Sequence, residues 1–169
     1  MDGTTRGRFE VRPRGAAVAD DGRSALVLTG LNSALGLWRL ALDDGATERV
    51  GALAGGHAFR VARRAWRVFA TSPEGDLLRW VDAGSAEPHE LPLEVHGDLK
   101  ACSPDGRHVA LQSRGRSGTD PYEARVLRVA DGRAVAVVRG VTAVAFAGDG
   151  RFAAAGVGGA LVPIALDGA

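Results

Sequence analysis

Residues 99–113 read LKACSPDGRHVALQS. A short apolar-alternating stretch runs to Cys102, a Ser-Pro-Asp-Gly turn follows, and after Arg107 a second apolar stretch begins. Asp105-Gly106 accepts positive φ at low cost, and a tight hairpin between two right-twisted strands demands that conformation. The stretch predicts strand, turn, strand.

The same pattern recurs in AAVADDGRSALVLTG (16–30), FRVARRAWRVFATSPEG (59–75) and TAVAFAGDGRFAAAG (142–156). Arg23, Arg67, Arg107 and Arg151 anchor it, 44, 40 and 44 residues apart. Asp21-Gly22 and Asp149-Gly150 supply the turn in the first and fourth units. The second has Ala65-Trp66 instead, so its hairpin needs another turn or a longer loop. VARRAWRVF in that unit could also form an amphipathic helix, since Val61, Ala65 and Phe69 fall four apart. Its counterparts contain Asp-Gly turns that would break a helix, so strand is expected.

Each unit continues alike. A second strand (SALVLTG, VFATS, HVALQS, FAAAG) leads through a loop to a third (LGLWRLAL, DLLRWVD, ARVLRVA, ALVPIAL). Another turn follows, at Asp44-Gly45, Ala83-Gly84, Asp131-Gly132 and Asp167-Gly168. TERVGAL, HELPLE and AVAVVRG give three units a fourth strand. Strands at this spacing mark an all-β protein, and a period near 42 residues marks a repeat architecture. The units run over about 13–54, 55–97, 98–140 and 141–169. The last lacks a fourth strand, and residues 7–12 of GRFEVRP are expected to complete its sheet.

CSPDGRHVAL (102–111) resembles the first-hairpin motif of WD-repeat and TolB-like β-propeller blades. Gly56-His57 resembles the pair that opens WD-type blades, and Trp38 and Trp80 fall where such blades carry tryptophan on the third strand. Trp38 is followed by Arg39 and Trp80 by Val81, so the His-Asp-Trp network of WD blades is not expected. The resemblance implies a propeller-like array of four-stranded antiparallel meanders. Four units are few for a ring. The array is expected to close on itself, to complete a larger ring with a second copy, or to be a fragment of a longer propeller, because uncovered end units leave sheet edges and apolar patches.

The bulk composition agrees with one ordinary domain. The 169 residues are 46% apolar and 24% charged, with a net charge of +1. That balance predicts no strong field for nucleic acid or an anionic membrane. Cys102 is the lone cysteine, which fits a reducing compartment, and the N-terminus lacks a signal-peptide pattern. A cytoplasmic protein is expected.

Few residues point to chemistry. His57, His89, His96 and His108 show no metal-ligand spacing, and Cys102 and His108 fall on opposite sides of a hairpin turn. Asp20-Asp21 and Asp43-Asp44 stand beside turn glycines, which accounts for them. Gly156-Val157-Gly158-Gly159 precedes a strand, so it offers no helix N-terminus to a phosphate. No catalytic residue, cofactor or metal is expected.

Two features invite binding. The long loop QSRGRSGTDPYE (112–123) offers Arg114, Arg116, Asp120 and Tyr122 to a protein partner. Arg60, Arg63, Arg64 and Arg67 surround Trp66, a pattern that can bind single-stranded nucleic acid, but the near-neutral total favours a solvated face. The expected function is a non-catalytic scaffold for protein–protein interaction. A small-ligand site at the channel or a blade junction is the alternative, and an enzyme with a dispersed site comes third.

Overall fold

A computed structural model describes residues 13–19, 22–31, 34–54, 58–83, 85, 87–113 and 121–166. The expected pairing of residues 7–12 lies outside them, as does Gly56-His57. The described residues form strands and turns without a helix, so none is long and apolar enough to cross a membrane.

The first sheet holds β1 (Pro13–Val18), β2 (Ser24–Leu31), β3 (Ala34–Ala41) and β4 (Thr47–Ala54). The second holds β5 (Phe59–Ala62), β6 (Arg67–Thr71), β7 (Leu77–Asp82) and β8 (His89–Pro92). The third holds β9 (Asp98–Cys102), β10 (His108–Ser113), β11 (Glu123–Arg128) and β12 (Ala134–Arg139). The fourth has three strands, β13 (Val141–Phe146), β14 (Phe152–Val157) and β15 (Ala160–Ala165). Every sheet is an antiparallel meander in chain order.

The sheets pack face to face in sequence. β4 meets β7, β5 and β6 meet β9, and β9 and β11 meet β13. The first strands β5, β9 and β13 touch in succession, so they line the inner side of the array. Alternation along each strand sends one row of side chains forward to the next sheet and the other back to the previous one. Leu26, Leu28, Leu37 and Leu53 go forward from the first sheet onto Val68, Ala70 and Val81. Phe69 and Leu78 go forward onto Leu99, Val109, Leu111 and Leu127. Ala110, Ala124 and Val126 go forward onto Val141, Ala153, Ala155 and Ile164. These apolar rows stack the units. The fourth sheet makes no comparable contact with the first among the described residues, and the array is open there.

One backbone hydrogen bond repeats in every unit and sets the register. Leu42 N donates to Arg23 O, Ala83 N to Trp66 O, Val129 N to Arg107 O and Leu166 N to Arg151 O. Trp66, not Arg67, therefore holds the place of the repeat arginine, and the second anchor read from the sequence is one residue late. Gly22, Gly106 and Gly150 adopt φ of 66°, 70° and 75° in the first hairpin turns. In the second unit Ala65 replaces that glycine, and the left-handed conformation moves on to Trp66 at φ 49°. This is the other turn that the Ala65-Trp66 pair demanded. VARRAWRVF is strand, turn and strand, as its counterparts required.

The tryptophans are a second correction. Both lie on third strands, but they are one position apart in the repeat and on opposite faces. Trp38 pairs with Val27 and donates from Nε1 to Thr29 Oγ1 at 2.9 Å. Trp80 faces forward, 6.2 Å from Phe69 between ring centroids.

Candidate functional site

First-hairpin and third-to-fourth turns gather at one end of the array, the hairpin face. Second-to-third turns and the links between sheets gather at the other, the loop face.

On the loop face a cleft of about 370 Å³ opens between the second and third sheets. The turn Pro73–Gly75, the link His96–Gly97, Asp98 and Lys100 form one side, and Gln112, Ser113 and Tyr122 the other. Ser72 builds the turn. Its Oγ accepts from Asp76 N and Leu77 N at 3.1 Å each and donates to Asp76 Oδ1 at 2.6 Å. That donation holds the Asp76 carboxyl below the usual carboxylate range. Gly97 N donates to Gly75 O at 3.0 Å, and His96 Nδ1 lies 2.9 Å from Glu74 O, so the link is pinned to the turn. Gln112 Nε2 donates to Val141 O at 2.8 Å, joining the third sheet to the fourth. Lys100 Nζ lies 3.5 Å from Asp98 Oδ2.

Of the residues singled out for a partner, Tyr122 is exposed on this rim, and its carbonyl accepts from Gly140 N at 2.7 Å. Arg114, Arg116 and Asp120 lie outside the described residues. The sequence did not point to Glu74, His96 or Lys100. The signal was positional: Glu74 lies in a turn, His96 in the link between sheets and Lys100 on the first strand of the third sheet, which the repeat brings beside the loop.

On the hairpin face a cleft of about 690 Å³ lies between the same sheets. Arg67 forms a forked pair with Asp82, Nε to Oδ1 at 2.6 Å and Nη2 to Oδ2 at 3.1 Å, and donates to Gly106 O at 3.2 Å. Its guanidinium stands 5.8 Å from the Trp80 ring centroid, and His89 stacks on Trp80 at 5.2 Å. Arg128 is held by both carboxylate oxygens of Asp131. That contact, with the Arg133 amide, lowers the Asp131 carboxyl to about 2.

The arginine cluster does not form one patch. Arg60 donates to Lys100 O at 2.5 Å on the inner side, while Arg67 is committed to Asp82 on the hairpin face. Trp66 receives Arg39 from the first sheet, 5.9 Å from its ring. Cys102 pairs across the strands with Val109, and burial pushes its thiol up to about 12, so it stays protonated at neutral pH. His108 is buried, one strand over. Among the described residues no group of three or more His, Cys, Asp and Glu gathers as a metal site.

No protein-family model matches the sequence, and no curated protein matches it. Solved structures do resemble the fold. The chain is similar to lmo1340 from Listeria monocytogenes EGD-e (TM-score 0.61, 13% identity, covering 92% of this chain and 49% of that one). It is also similar to the β-propeller domain of Cps50 (Swd1) from Myceliophteria thermophila (0.58, 12%, 93% and 55%). A third likeness is TolB from Acinetobacter baumannii (0.58, 15%, 86% and 37%). The chain spans less than two thirds of each. Four stacked antiparallel meanders with these neighbours have the fold of β-propeller blades. The resemblance drawn from the sequence holds at the level of fold.

Proposed function

We propose that the chain is a non-catalytic β-propeller scaffold that binds a protein partner through its loop face. The cleft beneath Tyr122 carries this reading. It combines an exposed aromatic, Glu74 on a hydrogen-bonded turn, and Asp98 and Lys100 on β9, flanked by the stems of the longest loop. Aromatic anchors ringed by polar groups suit protein contact. The test is capture from a lysate of the source organism by the wild-type chain and by a Tyr122→Ser, Lys100→Glu double variant. A partner retained by the first and weakened at least about tenfold by the second supports the reading. Equal capture, or none, overturns it.

The hairpin-face cleft favours a second reading, a small-ligand site. Trp80 stacked on His89 offers a flat platform beside Arg67 and Arg128. A ligand there would change tryptophan fluorescence and raise the melting temperature. A broad panel of sugars, nucleotides and peptides that does neither removes this alternative.

A further inference from the structure

Among the described residues, no further sheet packs on the forward face of the fourth sheet. The recurring hydrogen bond from the residue after each third strand makes positions comparable between units. Five residues before that donor stand Leu37, Leu78, Ala124 and Leu161. The first three are 2%, 0% and 2% exposed, because each packs forward on the following sheet. Leu161 is 78% exposed. Phe152, at the start of β14 on the same face, is 52% exposed, whereas its counterparts Ser24 and His108 are buried. Register puts Ala154 opposite Pro163, and Ala145 opposite Ala154, on that face. Apart from Thr142, whose hydroxyl donates to Gly156 O, the surface is apolar and built like the three faces that are covered.

The other end shows the complement. On the backward face of the first sheet Val18 pairs with Ala25, as Val61 does with Val68, Cys102 with Val109 and Phe146 with Ala153. Val61, Cys102 and Phe146 are tucked against the core clusters formed with the preceding sheet. Val18 is 50% exposed. Leu40 is half-buried where Val81, Leu127 and Ile164 are buried. Ala25, Val27 and Thr29 at the centre of this face, beside Trp38, are covered, so the exposed part of it is the rim at Val18 and Leu40.

We propose that the forward face of the fourth sheet docks on the backward face of the first sheet of a second copy of this chain. Two copies then make two identical contacts and close a single ring. This proposal is independent of the loop-face reading. Three observations select a second copy as the occupant. The contact continues the sheet-on-sheet interface that already joins the four units. The exposed forward face of the fourth sheet and the exposed Val18 rim of the first belong to the same chain, and a head-to-tail contact between them closes with two copies when each contact turns the chain by half a ring. The chain also spans 49% and 55% of two comparison structures, so two copies supply a ring of their size. Uncovered apolar sheet faces of this kind favour association.

The experiment is sedimentation equilibrium of the full chain across a wide concentration range. The expected mass is twice the 17.5 kDa of one chain. Leu161→Asp and Val18→Asp should each weaken self-association at least about a hundredfold while keeping the β-sheet circular dichroism. Val137→Asp, at an exposed position on the outer strand of the third sheet, should leave it unchanged. A mixture of the Leu161→Asp and Val18→Asp chains should recover a heterodimer through the one intact contact. A monomer at every concentration overturns the proposal, as does a dimer indifferent to Leu161→Asp. A dimer sensitive to Leu161→Asp but not to Val18→Asp assigns the contact to two fourth sheets and overturns it too. Should an aspartate variant fail to fold, Leu161→Ser and Val18→Ser carry the same test. Partner capture through Tyr122 is read separately, so loss of one result leaves the other standing.

Discussion

Cys102 shows how a single residue loses its chemistry to its surroundings. Its half-buried thiol pairs with Val109, and desolvation raises its pKa to about 12 from an ordinary 9.0. The folded state thus favours the protonated form. The resulting stabilisation is complete below the unfolded pKa and is lost as pH rises toward the folded value. At pH 8 the thiolate fraction in the native protein should be about a thousandfold below that of the unfolded chain. Reaction with a disulfide reagent should be correspondingly slow until denaturant is added. Fast labelling of native protein would contradict this. Gly75 makes a second prediction. Its φ is +75°, and an added Cβ would lie 3.1 Å from Gly97 N. Gly75→Ala should cost about 1–3 kcal/mol in urea unfolding, combining backbone strain with the clash. Gly158→Ala, at φ +57° with open space around it, should cost about 1 kcal/mol or less.

At the level of elements, one turn is used in two places. Ser103-Pro104-Asp105-Gly106 joins the first and second strands of the third sheet. Ser72-Pro73-Glu74-Gly75 joins the second and third strands of the second sheet, at the opposite end of the array. Both fold alike. Ser103 N donates to His108 O and Gly106 N to Ser103 O, just as Ser72 N donates to Leu77 O and Gly75 N to Ser72 O. Ser103 Oγ is enclosed and accepts from His108 N at 2.9 Å. Ser103→Ala should therefore cost about 1–3 kcal/mol by chemical denaturation, since the amide it satisfies is left buried. Ser72→Ala has a separate signature. It removes the donor that depresses the Asp76 carboxyl, so the Asp76 pKa should rise toward 3.8 in a carboxyl-detected titration. The wild-type carboxylate contributes stability above its unfolded pKa, and that contribution is lost as pH falls through the lower folded value. In the variant this acid-side dependence should shrink. An unmoved Asp76 would refute the assignment.

For the whole molecule, stacking governs stability. Leu37, Leu78 and Leu161 occupy equivalent places, and the cover over them sets the cost of truncation. Leu78→Ala opens a cavity between the second and third sheets and should cost about 2–5 kcal/mol. Leu161→Ala removes little that is buried within one chain, so at high dilution it should change stability by no more than about 0.5 kcal/mol. At higher concentration the effect should grow, because association adds to apparent stability by mass action. Denaturation midpoints measured at several concentrations distinguish these outcomes. Equal and concentration-independent costs at both positions would show that Leu161 is covered within the single chain.

Strand locations, hairpin turns and the fourfold period were legible in the sequence, because alternation and turn chemistry act between neighbours a few residues apart. The register was legible to within one residue. Arg67 follows the pattern better than Trp66 does, yet the hydrogen bond from Ala83 selects Trp66. Only the packed array separated Trp38 from Trp80, since facing depends on register across strands and not on strand membership. The loop-face cleft was half legible: Tyr122 announced itself, while Glu74, His96 and Lys100 became neighbours only when the second sheet met the third. Local chemistry makes each meander. Which apolar rows find cover, and which are left waiting at the two ends, depends on how whole sheets stack across long stretches of chain.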